Sequence, residues 1–90
     1  MAVNVHLPSA LGKLTGGIDT VQSEATTVDA LVTSLEESFP GFETSLRPSG
    51  QWSRFINIYV NGEDIRFLQL GQTPLTPGQE VSIVSAMAGG

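Results

Sequence analysis

The segment whose residues most clearly indicate chemistry is Ala88-Gly89-Gly90, the last three residues of the sequence. Glycine lacks a Cβ, so a Gly-Gly segment can pass through a narrow channel and adopt φ values that other residues resist. The main chemical group at its tip is a carboxylate, which is ionised at neutral pH. The pattern therefore predicts a slim arm that presents the Gly90 carboxylate to the active site of another protein. A frayed terminus is the alternative, since most chain ends are poorly ordered.

The other side chains do not favour catalysis by the chain itself. His6 is the only histidine and the sequence has no cysteine, so a His/Cys metal site has too few ligands. Because His6 alternates with Val5 and Leu7, we expect it on the exposed face of a strand. A serine triad is not supported either, since no serine can be placed beside this single histidine.

Two acidic pairs and one Gly-Gly pair also lack the pattern of an active site. Glu36-Glu37 lies in a helical pattern, where adjacent residues do not face each other, so we expect a solvated surface. Glu63-Asp64 follows a predicted turn, where acidic residues are ordinary. Gly16-Gly17 lacks the spacing and the lysine of a phosphate-binding loop. We therefore expect a protein that is not an enzyme, with no catalytic residues, no metal and no bound cofactor.

Length and charge restrict the class of protein further. Ninety residues, 40% of them hydrophobic, suffice for one domain with a modest core. The net charge of −5, with four Lys and Arg in all, disfavours nucleic-acid binding, which needs cations to displace phosphate counterions. No apolar run is long enough to cross a bilayer, and the N-terminus lacks the regions of a signal peptide. We expect a cytoplasmic protein with no nucleic-acid or membrane partner.

The first half of the chain predicts a hairpin and one amphipathic helix. Alternation predicts a strand over residues 3–7, and a weaker strand pattern over residues 18–23 follows the Gly16-Gly17 turn. The helix begins after Thr26-Thr27, which supplies an N-cap, and ends at Pro40-Gly41. Its apolar stripe, with spacings of three and four residues, consists of Val28, Leu31, Val32, Leu35 and Phe39.

The second half predicts three further strands. Residues 42–53 are predicted to be irregular, because Pro48 and Gly50 interrupt them. Residues 55–60 give the strongest strand pattern, rich in β-branched and aromatic side chains. The remaining elements are a turn at Asn61-Gly62, a short strand through Ile65 and Phe67, a turn at Pro77-Gly78, and a last strand over residues 80–86.

The order of these elements predicts an α+β fold. A single amphipathic helix must lay its apolar stripe on a sheet to bury it. We therefore predict a β-grasp (ubiquitin-like) domain over residues 1–90, in which one main helix crosses one face of a mixed sheet. Residues 86–90 are expected to form a flexible C-terminal tail.

Strand alternation also predicts an open face of the sheet. If Ile56, Ile58 and Val60 face the helix, Tyr59 faces away from it. We predict that a partner docks there, because exposed apolar patches usually mark interfaces. The predicted docking residues are Phe55, Tyr59, Phe67, Val84 and Met87, with Arg54 and Arg66 at the rim. The alternative is that residues 42–53, including Trp52, cover part of this face and of Phe55.

Several short motifs, in this order and spacing, resemble the MoaD/ThiS family of ubiquitin-like sulfur carriers. They are Val3-Asn4-Val5, Thr27-Val28-Asp29-Ala30-Leu31, Val60-Asn61-Gly62-Glu63, Pro77-Gly78-Gln79-Glu80-Val81 and Gly89-Gly90. More narrowly, residues 54–61 and Asp64-Ile65-Arg66-Phe67 resemble the CysO-type carriers that serve cysteine biosynthesis. Many relatives have a proline shortly before the tail, where this chain has Ser85-Ala86-Met87.

The resemblance implies a carrier cycle at Gly90. An E1-like partner would use ATP to adenylate the Gly90 carboxylate, and a sulfur donor would then displace AMP to leave a thiocarboxylate. Ala88, Gly89 and Gly90 would enter the partner's active site. The chain would act as a protein co-substrate of a sulfur-accepting enzyme, with a cysteine-synthase-like enzyme favoured and a metalloprotease releasing the product.

Other functions stay open on the sequence. The chain could be the small subunit of molybdopterin synthase, with the large subunit as its partner, or a carrier for thiazole or a thiolated RNA base. It could also be a ubiquitin-like modifier that Gly90 joins to a lysine, since both chemistries begin from the same adenylate. The third class is a binding module with an incidental Gly-Gly end.

Overall fold

One mixed sheet of five strands organises residues 2–85, the part of the chain that this structure, a computed structural model, describes. The strands are β1 (Val3–His6), β2 (Thr20–Ser23), β3 (Ile56–Val60), β4 (Glu63–Asp64) and β5 (Glu80–Ser85). Their order across the sheet is β2-β1-β5-β3-β4. The central neighbours β1 and β5 are parallel, and the other pairs are antiparallel. The predicted mixed sheet is confirmed, while the predicted tail at residues 86–90 lies outside the described part.

The predicted pairing of the first two strands is confirmed, but their connection is not a simple turn. β1 and β2 pair antiparallel, with Val5 opposite Val21. A 3-10 turn at Ser9–Leu11 and a short helix, α1 (Gly12–Thr15), lie between them. Gly16 ends α1 in the left-handed region, with a φ of 66°. This conformation suits glycine, which lacks the Cβ that strains other residues there.

The main helix, α2 (Val28–Ser38), forms as the apolar periodicity predicts. The Thr27 hydroxyl accepts a hydrogen bond from the Ala30 amide at 3.1 Å, which satisfies one of the unpaired amides of the first turn. All four stripe residues within the helix are buried, namely Val28, Leu31, Val32 and Leu35. They share one core cluster with inward side chains of β1, β3 and β5, so α2 packs across one face of the sheet.

The expectation that residues 42–53 are irregular is wrong. Phe42–Leu46 forms a helix, α3, and Pro48–Gly50 a 3-10 turn. Phe42 and Leu46, one helical turn apart, are both fully buried. A five-residue helix is not stable alone in water, so tertiary burial of this pair must hold α3 in place.

Glu36 is half-buried and hydrogen-bonded to backbone amides, which the prediction of a solvated surface for Glu36-Glu37 did not include. Its carboxylate accepts hydrogen bonds from the Gly41 amide at 3.1 Å and from the Glu43 amide at 2.9 Å. These bonds, first that of Glu43 and then that of Gly41, lower the pKa of Glu36 because they favour its charged form. Glu36 thereby joins the end of α2 to the start of α3. Glu37 is exposed, as expected.

The predicted strand through Ile65 and Phe67 is also wrong. β4 is already complete at Asp64, and Ile65–Phe67 forms a 3-10 turn. The Asp64 carboxylate accepts a hydrogen bond from the Arg66 amide at 2.8 Å, a local bond that competes with the strand ladder. Ile65 is buried, whereas Phe67 is 84% exposed. Alternating apolar residues therefore do not share a face here.

Arg47 ties the helices to the chain that follows them. Its guanidinium donates to the Asp29 carboxylate of α2 at 2.6 Å and to Glu43 of α3 at 3.2 Å. It also lies over the Trp52 ring, 4.9 Å from the centroid, a cation–π geometry. On the other side of Asp29 is Gly71, so close that an added Cβ would meet the carboxylate oxygen at 2.1 Å.

Within residues 2–85, no helix has the length and hydropathy needed to cross a membrane.

Candidate functional site

The described part of the chain ends with β5, directly before the predicted tail. Ser85, the last residue of this central strand, pairs with Ile56 at the start of β3. Residues 86–90 follow it directly. The described part of the chain does not include the predicted tail residues Ala88, Gly89 and Gly90, of which Gly90 is the predicted sulfur carrier. It also does not include Met87, a predicted docking residue. The surfaces on either side of Ser85 are therefore the described candidates for contact with a partner.

Tyr59 and Val84 both lie on the open face of the sheet, as the alternation predicts. In the register of β3 and β5, Asn57 is opposite Val84 and Tyr59 is opposite Ser82. The intervening residues Ile58 and Ile83 are paired and buried against the helices. Tyr59 is half-buried, and Val84 is 43% exposed. The assignment of the two sheet faces made from the alternation is therefore confirmed.

The part of this face nearer β1 is polar. The Glu80 carboxylate accepts a hydrogen bond from the side-chain amide of Asn4 at 2.8 Å. Its other oxygen lies 2.6 Å from His6 Nε2. The hydrogen bond from Asn4, followed by that from His6, lowers the pKa of Glu80. His6 is exposed, as its position in the strand predicts. Tyr59 and Val84 thus form a small apolar area beside a polar one.

Phe55 and Phe67 do not form one continuous patch with these residues. Phe55 is half-exposed and borders a cleft with Ile56 and Ser85, at the start of β3. Phe67 borders a different depression with Val60 and Asn61, at the opposite end of β3. A five-residue strand is about 17 Å long, so the two rings are too far apart for one small contact. The single patch predicted from sequence is divided by the geometry.

The segment before β3 does not cover the open face. Trp52 packs against the core cluster and borders a small cavity with Ile58 and Ile65, both buried on the helix side. Trp52 therefore does not cover Tyr59, whereas Ser45 and Ser53 of the same segment lie beside Phe55, as the alternative for Phe55 expects. Tyr59 stays accessible beside Val84.

The two arginines predicted at the rim behave differently. Arg66 joins the turn after β4 to β3 and to the segment before it. Its guanidinium donates to the Ser53 carbonyl at 2.8 Å and to the Asn57 side chain. It also lies 3.5 Å from the Asp64 carboxylate. Arg54 is exposed, and no carboxylate of residues 2–85 lies within salt-bridge distance of it.

The described side chains do not assemble a metal centre. Over residues 2–85, no three His, Asp or Glu side chains are grouped so that they could hold an ion. The cleft beside Ser85, whose walls include Leu11 and Ser45, is a feature that no motif predicts. These residues come from separate elements and share no sequence motif, so the cleft could not be predicted from the sequence.

The chain is similar to proteins of one family along nearly its whole length. The model of the ThiS family matches residues 5–90. A Mycobacterium tuberculosis protein named sulfur carrier protein CysO is 40% identical over 93 residues, which span all of this chain and all of that protein.

Solved structures extend the similarity to three dimensions. A chain in the crystal structure of the Amycolatopsis orientalis BexX/CysO complex is 35% identical to this chain. The two superpose with a TM-score of 0.90 over 99% of this chain and 100% of that chain. The solution structure of small archaeal modifier protein 1 from Methanosarcina acetivorans is 25% identical, with a TM-score of 0.82 over 99% of this chain and 96% of that chain. These similarities confirm the β-grasp fold predicted from the order of the elements.

Proposed function

The chain belongs to the ThiS family and is a sulfur carrier, and we propose that it carries sulfur on the carboxyl group of Gly90. The supporting observation is the match to the family over residues 5–90, which continues through Gly89-Gly90. The chain itself is proposed to be no enzyme and to bind no cofactor. Its part is to present a reactive end to enzymes that hold the catalytic groups.

The proposed cycle has two chemical steps. In the first, a Gly90 carboxylate oxygen attacks the α-phosphorus of ATP on an E1-like partner, pyrophosphate leaves, and an acyl-adenylate forms. In the second, the sulfur of hydrosulfide supplied by a donor attacks the acyl carbon, the bond from that carbon to AMP breaks, and loss of the S–H proton leaves a thiocarboxylate. The adenylate is needed because a carboxylate is a poor electrophile, whereas AMP is a good leaving group. We propose that this cycle runs in the cytoplasm, where ATP is available.

The geometry at Ser85 supports delivery of Gly90 into another protein. Five residues follow Ser85, and a fully extended chain of that length spans at most about 18 Å. That distance is enough to enter a buried active site while the domain stays at its mouth. The narrow Gly89-Gly90 end would offer no side chain to obstruct the channel.

We further propose that Tyr59 and Val84 contact the enzymes that charge and discharge the chain. These side chains lie on the open sheet face, and Val84 belongs to the strand that leads into the tail. A related carrier has been captured with a partner protein, in the BexX/CysO complex. An aromatic anchor beside the tail would hold the domain while Gly90 reacts.

Cysteine biosynthesis is the favoured destination of the sulfur. The similarity to CysO proteins supports a cysteine-synthase-like acceptor, with a metalloprotease that releases the product. The large subunit of molybdopterin synthase remains the alternative acceptor, because the acceptor chemistry resides in the partner and not in this chain.

Protein modification is a second candidate function. The similarity to small archaeal modifier protein 1 supports it, since that name describes a modifier. In this case a lysine amine, and not sulfur, would attack the activated Gly90 carboxyl and form an isopeptide bond.

Intact-mass measurement tests the proposal for Gly90. The chain is incubated with the E1-like enzyme of its source organism and a sulfide source, once with ATP and once without it. We expect a mass increase equal to replacement of one oxygen by sulfur. Deletion of Gly90, and separately addition of a residue after it, should abolish the increase without lowering the melting temperature, since chain ends contribute little burial.

Two results would contradict the proposal. One is the absence of both the thiocarboxylate and the adenylate from the parent chain. The other is a sulfur-containing product that persists when Gly90 is deleted. A product joined to lysine, with no thiocarboxylate, would favour the modifier function.

A further inference from the structure

The loop between β3 and β4 has the geometry of a type I′ hairpin turn. Val60 pairs with Glu63, so Asn61 and Gly62 are the two residues of the loop. Their φ values are 50° and 88°, near the values of about +60° and +90° of that turn type. Both residues are exposed. Asparagine and glycine suit these positions, because both accept positive φ more readily than other residues do.

Asn61 is also bound to β5 by two hydrogen bonds. Its main-chain amide donates to the Glu80 carbonyl at 2.8 Å, and its side-chain Oδ1 accepts from the Glu80 amide at 2.8 Å. In an antiparallel pair of this kind, the second bond normally goes to a main-chain carbonyl. Here the main chain of Asn61 turns into the loop, and the side-chain carbonyl takes that place. The two bonds form what we call the Asn61–Glu80 clasp.

An Asn-Gly sequence allows the asparagine side chain to react with the main chain. The Gly62 amide nitrogen loses its proton and attacks Asn61 Cγ, a C–N bond forms, and the side-chain nitrogen takes up a proton and leaves as ammonia. Water then opens the resulting cyclic succinimide at either carbonyl carbon. The products are aspartate and isoaspartate, and in isoaspartate the main chain runs through Cγ and gains a methylene group. Water is the only co-reactant, so no enzyme is required.

The sequence favours this reaction at one asparagine. Gly62 has no Cβ to crowd the attacking nitrogen. The other two asparagines of the chain are Asn4 and Asn57, and both lie within strands. They precede a valine and an isoleucine, whose branched Cβ atoms hinder the attack. Asn61 is therefore the asparagine that reacts first when the chain is unfolded.

The folded turn opposes closure of the succinimide ring. The ring requires the Gly62 nitrogen and Asn61 Cβ to be eclipsed about the Cα–C bond of Asn61. In a type I′ turn, ψ of the first loop residue is about +30°, and these two atoms are then nearly anti to each other. The peptide between the two residues must therefore turn over before the reaction. The Glu80 amide also opposes the reaction, because it holds the side-chain carbonyl that must swing into the ring.

We propose that Asn61 is the deamidation site of this chain, and that the type I′ turn and the Asn61–Glu80 clasp control its rate. The reaction then requires the loop to leave β5. An isoaspartate at this position lengthens the main chain and cannot rebuild the turn. Each event therefore permanently marks a molecule in which this end of the sheet has opened. The proposal is independent of the proposed function, because the reaction needs neither a partner nor Gly90.

Peptide mapping by mass spectrometry, after incubation in mildly alkaline buffer, tests the proposal. In guanidinium chloride, which unfolds the chain, Asn61 should convert faster than Asn4 and Asn57. Labelling with an isoaspartyl methyltransferase should identify isoaspartate as the main product. Without denaturant, conversion of Asn61 should be at least about tenfold slower, because only local opening then exposes the reactive conformation. A peptide of residues 57–66 in the same two solvents corrects for any effect of the denaturant itself.

Two variants of Glu80 isolate the contribution of the clasp. Glu80→Pro removes the amide that binds Asn61 Oδ1, and proline is tolerated at the first residue of a strand. Glu80→Ala removes the same carboxylate but keeps the amide, so it is the matched control. In the folded state, Asn61 should convert about fivefold faster in Glu80→Pro than in Glu80→Ala, the change expected for loss of one hydrogen bond. In guanidinium chloride the two variants should convert at the same rate.

Three results would overturn the proposal. The first is conversion of Asn61 at the same rate in the folded and the unfolded parent. The second is faster conversion of Asn4 or Asn57 than of Asn61 in denaturant. The third is an equal rate for Glu80→Pro and Glu80→Ala when the melting curves show that both are folded. If Glu80→Pro does not fold, the comparison of the parent with and without denaturant still decides whether the fold controls the reaction.

Discussion

Phe42→Ala is the sharpest test of how this domain is held together. Phe42 is fully buried at the start of α3, and its ring lies 6.1 Å from that of Phe39. Replacing a buried phenylalanine by alanine costs about 3–5 kcal/mol, because apolar burial is lost and a cavity remains. The tilted pair with Phe39 contributes about 0.5–1.5 kcal/mol beyond its buried area, which favours the upper part of that range.

That loss is large for a chain of 90 residues. At roughly 0.05–0.15 kcal/mol per residue, the whole domain has a stability of about 4.5–13.5 kcal/mol. Phe42→Ala would therefore remove roughly a fifth of it or more. With a shift of about 4–8 °C per kcal/mol in domains of this size, the melting temperature should fall by roughly 12–40 °C.

Urea unfolding followed by Trp52 fluorescence measures the effect. Phe67→Ala is the matched control, because Phe67 is 84% exposed and its loss should change stability by about 0.5 kcal/mol or less. If Phe42→Ala proves too unstable to study, Phe42→Leu should show a smaller loss in the same direction. A loss below about 1 kcal/mol for Phe42→Ala would refute the packing of α3 described above.

Three further results are expected. Gly71→Ala should cost about 0.5–1 kcal/mol in urea unfolding, because its Cβ would meet Asp29 at 2.1 Å and displace that carboxylate from Arg47, whereas Gly12→Ala, with open space around its Cβ, should not. Because the pKa of Glu36 is lowered in the folded state, its stabilisation is complete above about pH 4.5 and is lost as pH falls through the lowered value. Glu36→Gln should therefore flatten the acid side of a stability–pH profile, and a slope equal to the parent's would contradict this. Tyr59→Ala should weaken binding to the E1-like enzyme by about 2 kcal/mol, roughly thirtyfold, with an unchanged melt; equal affinity would remove Tyr59 from the interface.

The sequence was most informative where one residue pattern served both local and tertiary structure. The stripe of α2 is apolar because it faces the sheet, and Thr27 caps the helix through a bond three residues away. The alternation in β3 likewise assigned Ile58 to the core and Tyr59 to the open face. Hence the sheet, the main helix and the face beside the tail could all be predicted from sequence.

Prediction failed where distant contacts outweighed the local pattern. The glycines and prolines around α3 indicated an irregular segment, because nothing local shows that Phe42 and Leu46 fill one core. At β4, alternation suggested a strand, but the Asp64 carboxylate bonds the Arg66 amide and turns the chain. The hydrogen bonds that Glu36 accepts could not be predicted, because their donor amides belong to the start of the next helix, α3.

The β-grasp architecture, the family resemblance and the candidate reactive end at Gly90 could be predicted from the sequence alone, because each depends on residue types at fixed spacing. The surfaces on either side of Ser85 could be identified only in the folded chain. The fold separates Phe55 from Phe67 by the length of β3, and it brings Leu11, Ser45 and Ser85 to one cleft. Those residues are far apart along the chain, and folding alone makes them neighbours.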